Sequence, residues 1–502
     1  MTASTVTTAD AFRPALHYAA RNTWLNDPNG LIHHGGVYHL YYQNNPADNV
    51  WGNMSWGHAT SPDLLDWTEH PVAIACDEQE DIFSGSIVFD RDNTSGFGTA
   101  SAAPLVAVYT SAFKPGSALH GVQAQSLAYS LDGGYTWTKH ANNPVLNRGS
   151  AEFRDPKVFR YDGAAGSYWV MVAVEATDFQ VVLYKSKDLR NWEVLSVFGP
   201  ANATGGVWEC PDLFPLPVDG DPENLKWVLI VNLNPGGPNS GSAGQYFVGD
   251  FDGITFTSST TITEGPQDPA RLGDYQWLDW GRDYYAAVSF SDAPDNRRLM
   301  IGWMNNWQYA NTIPTAPWRS PMSLVREVSL RTVNGKPCLA QHVAEDLAAV
   351  SGLNPVFDLA QANISDETLI LDGAAGCVQR INLTFTPVTA EEFGLIVRGD
   401  GTQGTRIGIR HHEGRIFVDR RDSGLTDFHE SFASIDSAPI VATDGCYQLS
   451  IHVDQCSVEV FAQDGLVTLT ELIFPSTTST GLSLYAIGGT TRVSGLNVTR
   501  WA

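Results

Sequence analysis

The sequence predicts an all-β protein, a β-propeller followed by a β-sandwich, and three observations lead to that prediction. Short apolar runs rich in Val, Ile, Tyr and Trp are separated by clusters of Gly, Pro, Asn and Asp. Long stretches with helical periodicity are scarce. A turn followed by an aromatic strand recurs in the first part of the chain, and 502 residues are enough for two domains.

The recurring turn defines the predicted unit of the first domain. Its three copies are residues 61–67, 130–137 and 186–192, each ending in Trp, and their starts are 69 and 56 residues apart. Intervals of this length accommodate a four-stranded sheet, the unit of a β-propeller. Looser copies at 249–256 and 283–303 would belong to a fourth and a fifth blade. The alternative is that such turns simply join strands, as in any β protein.

The second domain is predicted from alternating strands that follow the last aromatic motif. Residues 395–397, 407–409 and 447–453 are examples, and period-two alternation with turns between strands indicates an antiparallel sandwich. The predicted divisions are an N-terminal tail at 1–14, the propeller at 15–335, a linker at 336–355 and a supporting sandwich at 356–502.

Composition narrows the classes of partner. Thirty basic against fifty-five acidic residues give a net charge of −25, a field that repels nucleic acid and anionic lipid. We therefore expect a neutral or cationic partner, and the fifteen tryptophans suit a sugar, although core packing claims most tryptophans in any fold. The six cysteines are widely spread and form no metal-type pair, so neither a metal nor a cofactor is implied.

Targeting signals are also absent from the sequence. No apolar run reaches the roughly 18 residues of a transmembrane helix. Residues 1–14 are polar and lack the features of a signal peptide. We therefore expect either a cytoplasmic protein or a secreted one whose signal peptide has been removed.

Three acids stand in rigid aromatic and proline settings. Asp27 lies in WLNDPNG at residues 24–30, Asp155 in FRDP at 153–156, and Glu209 in WECP at 208–211. A catalytic carboxylate needs a fixed direction and a controlled dielectric, whereas a surface carboxylate gains nothing from such neighbours. In a propeller the innermost strand of each blade lines the central axis, so acids distant in sequence can converge. The sequence therefore predicts one active centre built from these three acids.

These motifs carry a family resemblance. Together with YYQ at 41–43, WGNMSWGH at 51–58, FSGS at 83–86 and GWMNNW at 302–307, they resemble the signature of glycoside hydrolase family 32, the invertases, inulinases and levanases. SVEVF at 457–461 resembles the second domain of that family. The resemblance spans nearly the whole chain and implies a five-bladed propeller followed by a sandwich.

The resemblance also implies roles. Asp27 would be the nucleophile, Glu209 the general acid/base, and Asp155 the group that binds fructose hydroxyls. This is the retaining mechanism, for which the carboxyls of Asp27 and Glu209 should lie about 5–5.5 Å apart. The residues expected to contact substrate are Asn26, Gln43, Trp51, Ser84, Arg154 and Trp303. As isolated residues, the amides and the serine would more often stabilise turns.

Asp at position 27 and the intact FSGS motif resemble exo-acting members. The predicted reaction is removal of terminal fructose from inulin-type or levan-type fructans, and from sucrose. Residues 49–53 and 59–61 also resemble endo-acting relatives, so an endo-fructanase or a fructosyltransferase stays open. A non-catalytic fructan-binding propeller should have lost an acid, and a sialidase, suggested by SLDGGYTW at 130–137, needs an arginine cluster. The oligomeric state is not predicted.

Overall fold

The computed structural model describes residues 11–163, 166–344 and 354–501. Residues 1–10 of the predicted tail and 345–353 of the predicted linker lie outside this description. Strands and turns make up nearly all of the rest, which confirms the all-β class. Among the described residues, no helix is long and apolar enough to cross a membrane. The short 3₁₀ helices are Ala176–Asp178, Pro269–Asp274, Pro294–Asn296, Ala310–Thr312 and His411–Glu413.

Three antiparallel four-stranded sheets follow one another along the first part of the chain, each in simple sequential order. The first contains β1 (Trp24–His34), β2 (Val37–Asn45), β3 (Ser55–Ser61) and β4 (Thr68–Ile74). The second contains β5 (Glu80–Phe89), β6 (Leu105–Phe113), β7 (Gln123–Ser130) and β8 (Thr138–Lys139). The third contains β9 (Phe153–Gly163), β10 (Gly166–Glu175), β11 (Gln180–Ser186) and β12 (Glu193–Phe198).

The next eight strands form two further antiparallel groups within one sheet. The fourth group is β13 (Val207–Val218), β14 (Asp221–Asn234), β15 (Ala243–Phe251) and β16 (Phe256–Ser258). The last group is β17 (Tyr285–Ser289), β18 (Leu299–Trp303), β19 (Arg326–Val333) and β20 (Lys336–Val343). A parallel pairing of Val218 with Leu330 joins them, so the count of five blades stays a prediction.

The first strand of each group lies at the centre of the propeller. In sequence order β1, β5, β9, β13 and β17 each contact the next, and β17 contacts β1. Residues near both ends of the domain close the ring, because the Leu25 amide donates to the Arg319 carbonyl at 3.1 Å and the Met322 amide to the Tyr18 carbonyl at 2.8 Å. Motifs far apart in sequence are thereby brought to one axis.

The predicted linker began too early. Residues Lys336–Val343 form β20, which pairs with β19 along its whole length. Asn334 and Gly335 turn the chain between these strands with φ of 50° and 77°, as a two-residue hairpin requires. The Asn-Gly pair in the sequence is a hairpin signal, and we therefore place the end of the first domain after β20.

The remaining strands form a sandwich of two six-stranded sheets. One sheet has the order β21 (Asn354–Ser365), β32 (Thr490–Arg500), β23 (Gln379–Pro387), β28 (Tyr447–Val453), β29 (Ser457–Ala462) and β30 (Val467–Leu472). The other has the order β22 (Thr368–Ile370), β31 (Gly481–Ile487), β24 (Glu392–Gly399), β25 (Thr405–Arg410), β26 (Arg415–Asp419) and β27 (Ile435–Pro439). Apolar side chains such as Ile381, Leu395 and Ile451 fill the space between them.

A buried ionic network joins the two domains. Glu459, in the SVEVF motif of β29, accepts from Arg326 Nη2 at 2.5 Å and lies 2.9 Å from His17 Nε2. The other nitrogen of His17 is 2.7 Å from Asp454, and Arg326 also contacts Asp279 at 2.9 Å. Buried charges are tolerated when charges of opposite sign lie within contact distance, as they do here. The network therefore fixes the orientation of the sandwich on the propeller.

Candidate functional site

The central strands are irregular at one common level, and this irregularity builds the site. In each of the five central strands, pairing with the next strand shifts register once near the acid motifs. The shifts lie in β1 between Leu25 and Pro28, in β5 between Phe83 and Gly85, in β9 opposite Val172 to Val174, in β13 between Glu209 and Asp212, and in β17 between Tyr285 and Val288. Bulges of this kind re-aim side chains. The prolines of the three acid motifs have no N–H to donate to a ladder, which favours irregular pairing there.

Asp27 is held by donors at both carboxyl oxygens. Ser84 Oγ donates to Oδ2 at 2.7 Å, and Asn26 Nδ2 donates to Oδ1 at 3.0 Å. Asn26 is itself oriented by Trp24, whose Nε1 donates to the amide oxygen at 2.7 Å. Burial, reinforced by the charge of Glu209, raises the pKa of Asp27, while these donors oppose the rise. Asp27 is thus fixed in direction, and two of the predicted sugar contacts are the residues that fix it.

Asp155 sits in strained backbone deep in the site. Its φ of 62° is in the left-handed region, and its side chain is 6% exposed. The Cys210 amide donates to Oδ2 at 2.9 Å, and the Asp155 amide donates to Thr110 Oγ1 at 3.0 Å. Burial raises the pKa of Asp155, the carboxyls of Glu209 and Asp27 raise it further, and the nearby Arg154 guanidinium lowers it.

Glu209 is more accessible than Asp155, with 22% of its side chain exposed against 6%. Arg154 Nη2 donates to its Oε1 at 3.2 Å, and the Tyr285 hydroxyl donates to its Oε2. Arg154 also lies 3.9 Å from Asp155, so one guanidinium spans two of the acids. Tyr285 was not among the predicted site residues, because a single tyrosine within an apolar strand carries no local signal of function.

The Cys210 thiol lies between two of the acids. Its Sγ is 3.5 Å from an oxygen of Asp27 and 3.7 Å from an oxygen of Asp155. Burial and the surrounding carboxyls raise the pKa of this thiol well above its ordinary value, so it stays protonated. Its backbone φ of 44° belongs to the β13 bulge. The structure therefore brings Asp27, Asp155 and Glu209 together, with Cys210 as the residue that separates two like charges.

The remaining predicted contacts differ in position. Gln43 lies opposite the β1 bulge, is 2% exposed and donates to the Ile82 carbonyl at 3.0 Å. Trp51 is 47% exposed, and its ring lies edge-on to Phe83 at 6.2 Å, next to the FSGS motif. A platform for sugar at the rim is compatible with that position.

Trp303 differs from the expectation of a sugar contact. Its side chain is fully buried, and its ring packs against Trp24 at 6.0 Å, Tyr285 at 6.4 Å and Trp307 at 4.9 Å. The prediction relied on the place of Trp303 in the GWMNNW motif, but its aromatic neighbours cover the ring, so direct contact with substrate would require them to move. Trp303 supports Trp24 and Tyr285, which in turn orient Asn26 and Glu209.

Comparisons with known proteins identify the family of both domains. Residues 17–342 match the N-terminal domain of glycosyl hydrolases family 32, and residues 356–500 match the C-terminal domain of the same family. A levanase of Bacillus subtilis is 44% identical over 494 residues, covering 97% of this chain and 70% of that protein. An extracellular exo-inulinase of Aspergillus niger is 41% identical over 517 residues, covering 97% of this chain and 95% of that protein.

A solved structure is similar over the same length. The crystal structure of exo-inulinase from Aspergillus awamori superposes with a TM-score of 0.91 at 40% sequence identity, and 98% of each chain is covered. This agreement confirms the predicted propeller followed by a sandwich. With both domains matched in order, the chain belongs to glycoside hydrolase family 32 and is a glycoside hydrolase.

Proposed function

We propose that this enzyme is an exo-acting β-fructofuranosidase, which removes terminal fructose from inulin-type or levan-type fructans and from sucrose. The observation that carries the proposal is the convergence of Asp27, Asp155 and Glu209, each with its own set of hydrogen-bond donors. Two carboxyls in different settings are what a retaining glycosidase needs, one as nucleophile and one as acid/base.

Asp27 is the proposed nucleophile. Its oxygens are oriented by Ser84 and Asn26, which stabilise the ionised form that attacks the anomeric carbon of fructose. As the bond from Asp27 to that carbon forms, the bond from the carbon to the leaving-group oxygen breaks. The product of this first step is a fructosyl-enzyme ester.

Glu209 is the proposed acid/base. Its side chain is 22% exposed, against 6% for Asp155, which suits a group that meets the leaving sugar and the incoming water. In the first step its proton passes to the leaving oxygen. In the second step it takes a proton from water, which attacks the ester and releases fructose with retained configuration. Tyr285 and Arg154 hold its two oxygens during both transfers.

Asp155 is proposed to bind fructose hydroxyls next to the reacting carbon. Asp155 is less suited than Glu209 to exchange protons with the leaving group and with water, because its side chain is less exposed. Carboxylate hydrogen bonds to sugar hydroxyls strengthen as positive charge develops on the ring, which favours the transition state. The positive charge of Arg154 stabilises the ionised form of Asp155 while this carboxylate binds the sugar.

Exo-action and an extracellular place of work are supported by relatives. The Aspergillus proteins are named exo-inulinases, one of them extracellular, and the Bacillus protein is named a levanase. A polymeric substrate would also be met outside the cell. Fractionation of the native host should therefore find the activity in the culture fluid, and activity confined to washed cells would contradict this part of the proposal.

The test is a chromatographic time course of products from inulin, levan and sucrose. Fructose alone from the first minutes supports exo-hydrolysis, whereas early oligosaccharides point to endo-cleavage or transfer. The Asp27→Ala and Glu209→Ala variants should each lose nearly all turnover. Glu193→Ala, at a side chain 76% exposed on the outer strand β12, is the matched control and should keep full activity. Full activity of Glu209→Ala on inulin would disprove the acid/base role, and binding without any product would favour a non-catalytic fructan-binding propeller.

A further inference from the structure

A groove lies at the far ends of the strands that carry the acids. Strand β9 bears Asp155 near its start and Tyr161 near its end. Six residues of extended chain span about 20 Å, so Tyr161 is remote from the acid site, whereas the inner part of the groove begins at Lys157, two residues after Asp155. The groove has a volume of about 620 Å³ and is bounded by the end of β5, the second half of β9 and the middle of β13, together with residues that follow β17.

The groove has no excess charge, in contrast with the chain as a whole. Its basic lining residues are Arg91, Lys157, Arg160 and Arg298, and its acidic ones are Asp92, Asp162, Asp212 and Asp292. This balance stands out in a protein whose net charge is −25. A neutral ligand suits such a lining better than an ion of either sign.

Aromatic side chains form part of the wall. Phe159 and Tyr161 project from one face of β9 and lie against Trp227 of β14, with ring centroids 5.6 Å and 6.2 Å from the indole. All three are only partly buried, so part of each ring meets the open groove. Rings of this kind offer apolar contact to a ligand that also carries polar groups.

The floor of the groove contains two buried polar atoms without hydrogen-bond partners among the described residues. Asp212 is 1% exposed, and its Oδ2 accepts from the Ser289 amide at 2.7 Å, but its Oδ1 has no partner. Arg298 donates through Nη1 to Ser289 Oγ at 3.2 Å, while its Nε has no partner. Unpaired buried groups cost about 1–3 kcal/mol each. Neither atom is open to solvent, so the two atoms mark a polar layer beneath the groove rather than groups that a ligand contacts directly.

We propose that this groove is a second saccharide-binding site, separate from the acids, which holds part of a carbohydrate chain. A sugar combines the required properties: no net charge, several hydroxyls, and ring faces that pack against aromatic side chains. That the ligand is a saccharide follows from the groove itself. That the saccharide is a fructan rests on the proposed function, since an enzyme acting on a polymer gains affinity from a second contact with the same chain.

The experiment combines native affinity electrophoresis with kinetics. Gels containing inulin, levan or soluble starch are run with the Asp27→Ala protein, so that the polymer is not consumed. Two groove variants are made in this background. Trp227→Ala removes a ring from the wall, and Ser167→Arg fills the groove from an exposed rim position without removing a packed side chain. Glu193→Ala serves as the control outside the groove.

We expect at least one polymer to retard the parent protein, with retardation weakened several-fold in both groove variants and unchanged in Glu193→Ala. With Asp27 intact, the groove variants should show about a three- to tenfold higher KM for the retarding polymer, if it is a substrate, and unchanged kcat/KM for sucrose. Equal retardation of all variants, or none by any polymer, overturns the groove proposal. Retardation that depends on the groove in a protein that hydrolyses no fructan would sustain it and reject the proposed function instead.

Discussion

Replacing Glu459 with Gln should destabilise the protein strongly while leaving its chemistry intact. Glu459 is fully buried and receives Arg326, His17 and the Leu324 amide, at 2.5, 2.9 and 2.9 Å respectively. Gln has nearly the same shape and can still accept hydrogen bonds. The substitution therefore removes the negative charge of Glu459 rather than its packing, and leaves two cations less compensated.

The expected loss in the free energy of unfolding of Glu459→Gln can be obtained in two ways. Burial disfavours the charge of Glu459, but Arg326 and His17 outweigh it and lower its pKa from 4.5 to about 2. At about 1.36 kcal/mol per pH unit, a lowering of this size corresponds to about 3 kcal/mol. Removing one partner from a buried ion pair typically costs about 3–5 kcal/mol. Both arguments give a loss of about 3–4 kcal/mol near neutral pH.

The pH dependence gives a second, independent signature. Because the pKa of Glu459 is lowered on folding, its stabilisation is present above about pH 4.5 and is lost as pH falls toward about 2. From these two values, the stabilisation at pH 3.5 should be about 2 kcal/mol instead of about 3 kcal/mol. The gap between the parent protein and Glu459→Gln should therefore narrow in acid.

Urea unfolding followed by tryptophan fluorescence at pH 6.5 and pH 3.5 measures both quantities. Glu367→Gln, which changes an exposed glutamate of the same domain, is the matched control and should shift the midpoint little. Turnover per folded molecule should be unchanged in both variants at temperatures where they remain folded. A loss below about 1 kcal/mol for Glu459→Gln at pH 6.5, or a gap that widens in acid, would refute the electrostatic reasoning.

Three further predictions concern the site and its surroundings. The pKa of Asp155 is raised in the folded protein, so its negative charge lowers the free energy of unfolding as pH rises through that pKa. Asp155→Asn should be inactive, yet its free energy of unfolding should be about 1–2 kcal/mol higher than that of the parent protein at pH 8, with a smaller gain at pH 5. Thermal unfolding measures both differences. Tyr285→Phe removes a donor to Glu209 and should lower kcat about 10–100-fold with little change in KM, as steady-state kinetics on sucrose would reveal. Burial lowers the pKa of His39 to about 4 and that of His58 to about 2, so stability should decline as pH falls below about 6.5, and His58→Gln should flatten that decline in urea titrations.

Local sequence signals predicted the class of fold and the meeting of the acids. Strand runs, turn residues and the spacing of the motifs are properties of short segments, and short segments determine which strands form. The prolines after Asp27, Asp155 and Cys210 are also local signals, since each coincides with irregular pairing in a central strand. A motif with a proline beside its acid therefore indicates a bulge that re-aims a carboxyl.

Long-range packing could not be predicted in the same way. Trp303 was expected to contact substrate, but Trp24 and Tyr285 from two other strands, and Trp307 from the turn after β18, cover it. Tyr285 has no sequence context that distinguishes it from a core tyrosine, and its partner Glu209 is 76 residues away. The end of the propeller was placed too early because the break in aromatic motifs outweighed the Asn334-Gly335 hairpin signal. Each of these errors concerns contacts that only the assembled fold defines.

The sandwich is connected to the three catalytic-site acids through a buried ion pair, although none of its described acids lies beside them. Arg420, from the sandwich, contacts Asp283 at 2.6 Å in fully buried surroundings. Two residues further along the chain, Tyr285 opens the central strand β17 and donates to Glu209. Because a buried ion pair fixes the chain immediately before this strand, the hydroxyl that orients Glu209 depends on a contact between domains. A propeller without its sandwich would expose the Asp283 carboxylate and free the start of β17, so we infer that the second domain acts on catalysis by holding Tyr285 in place.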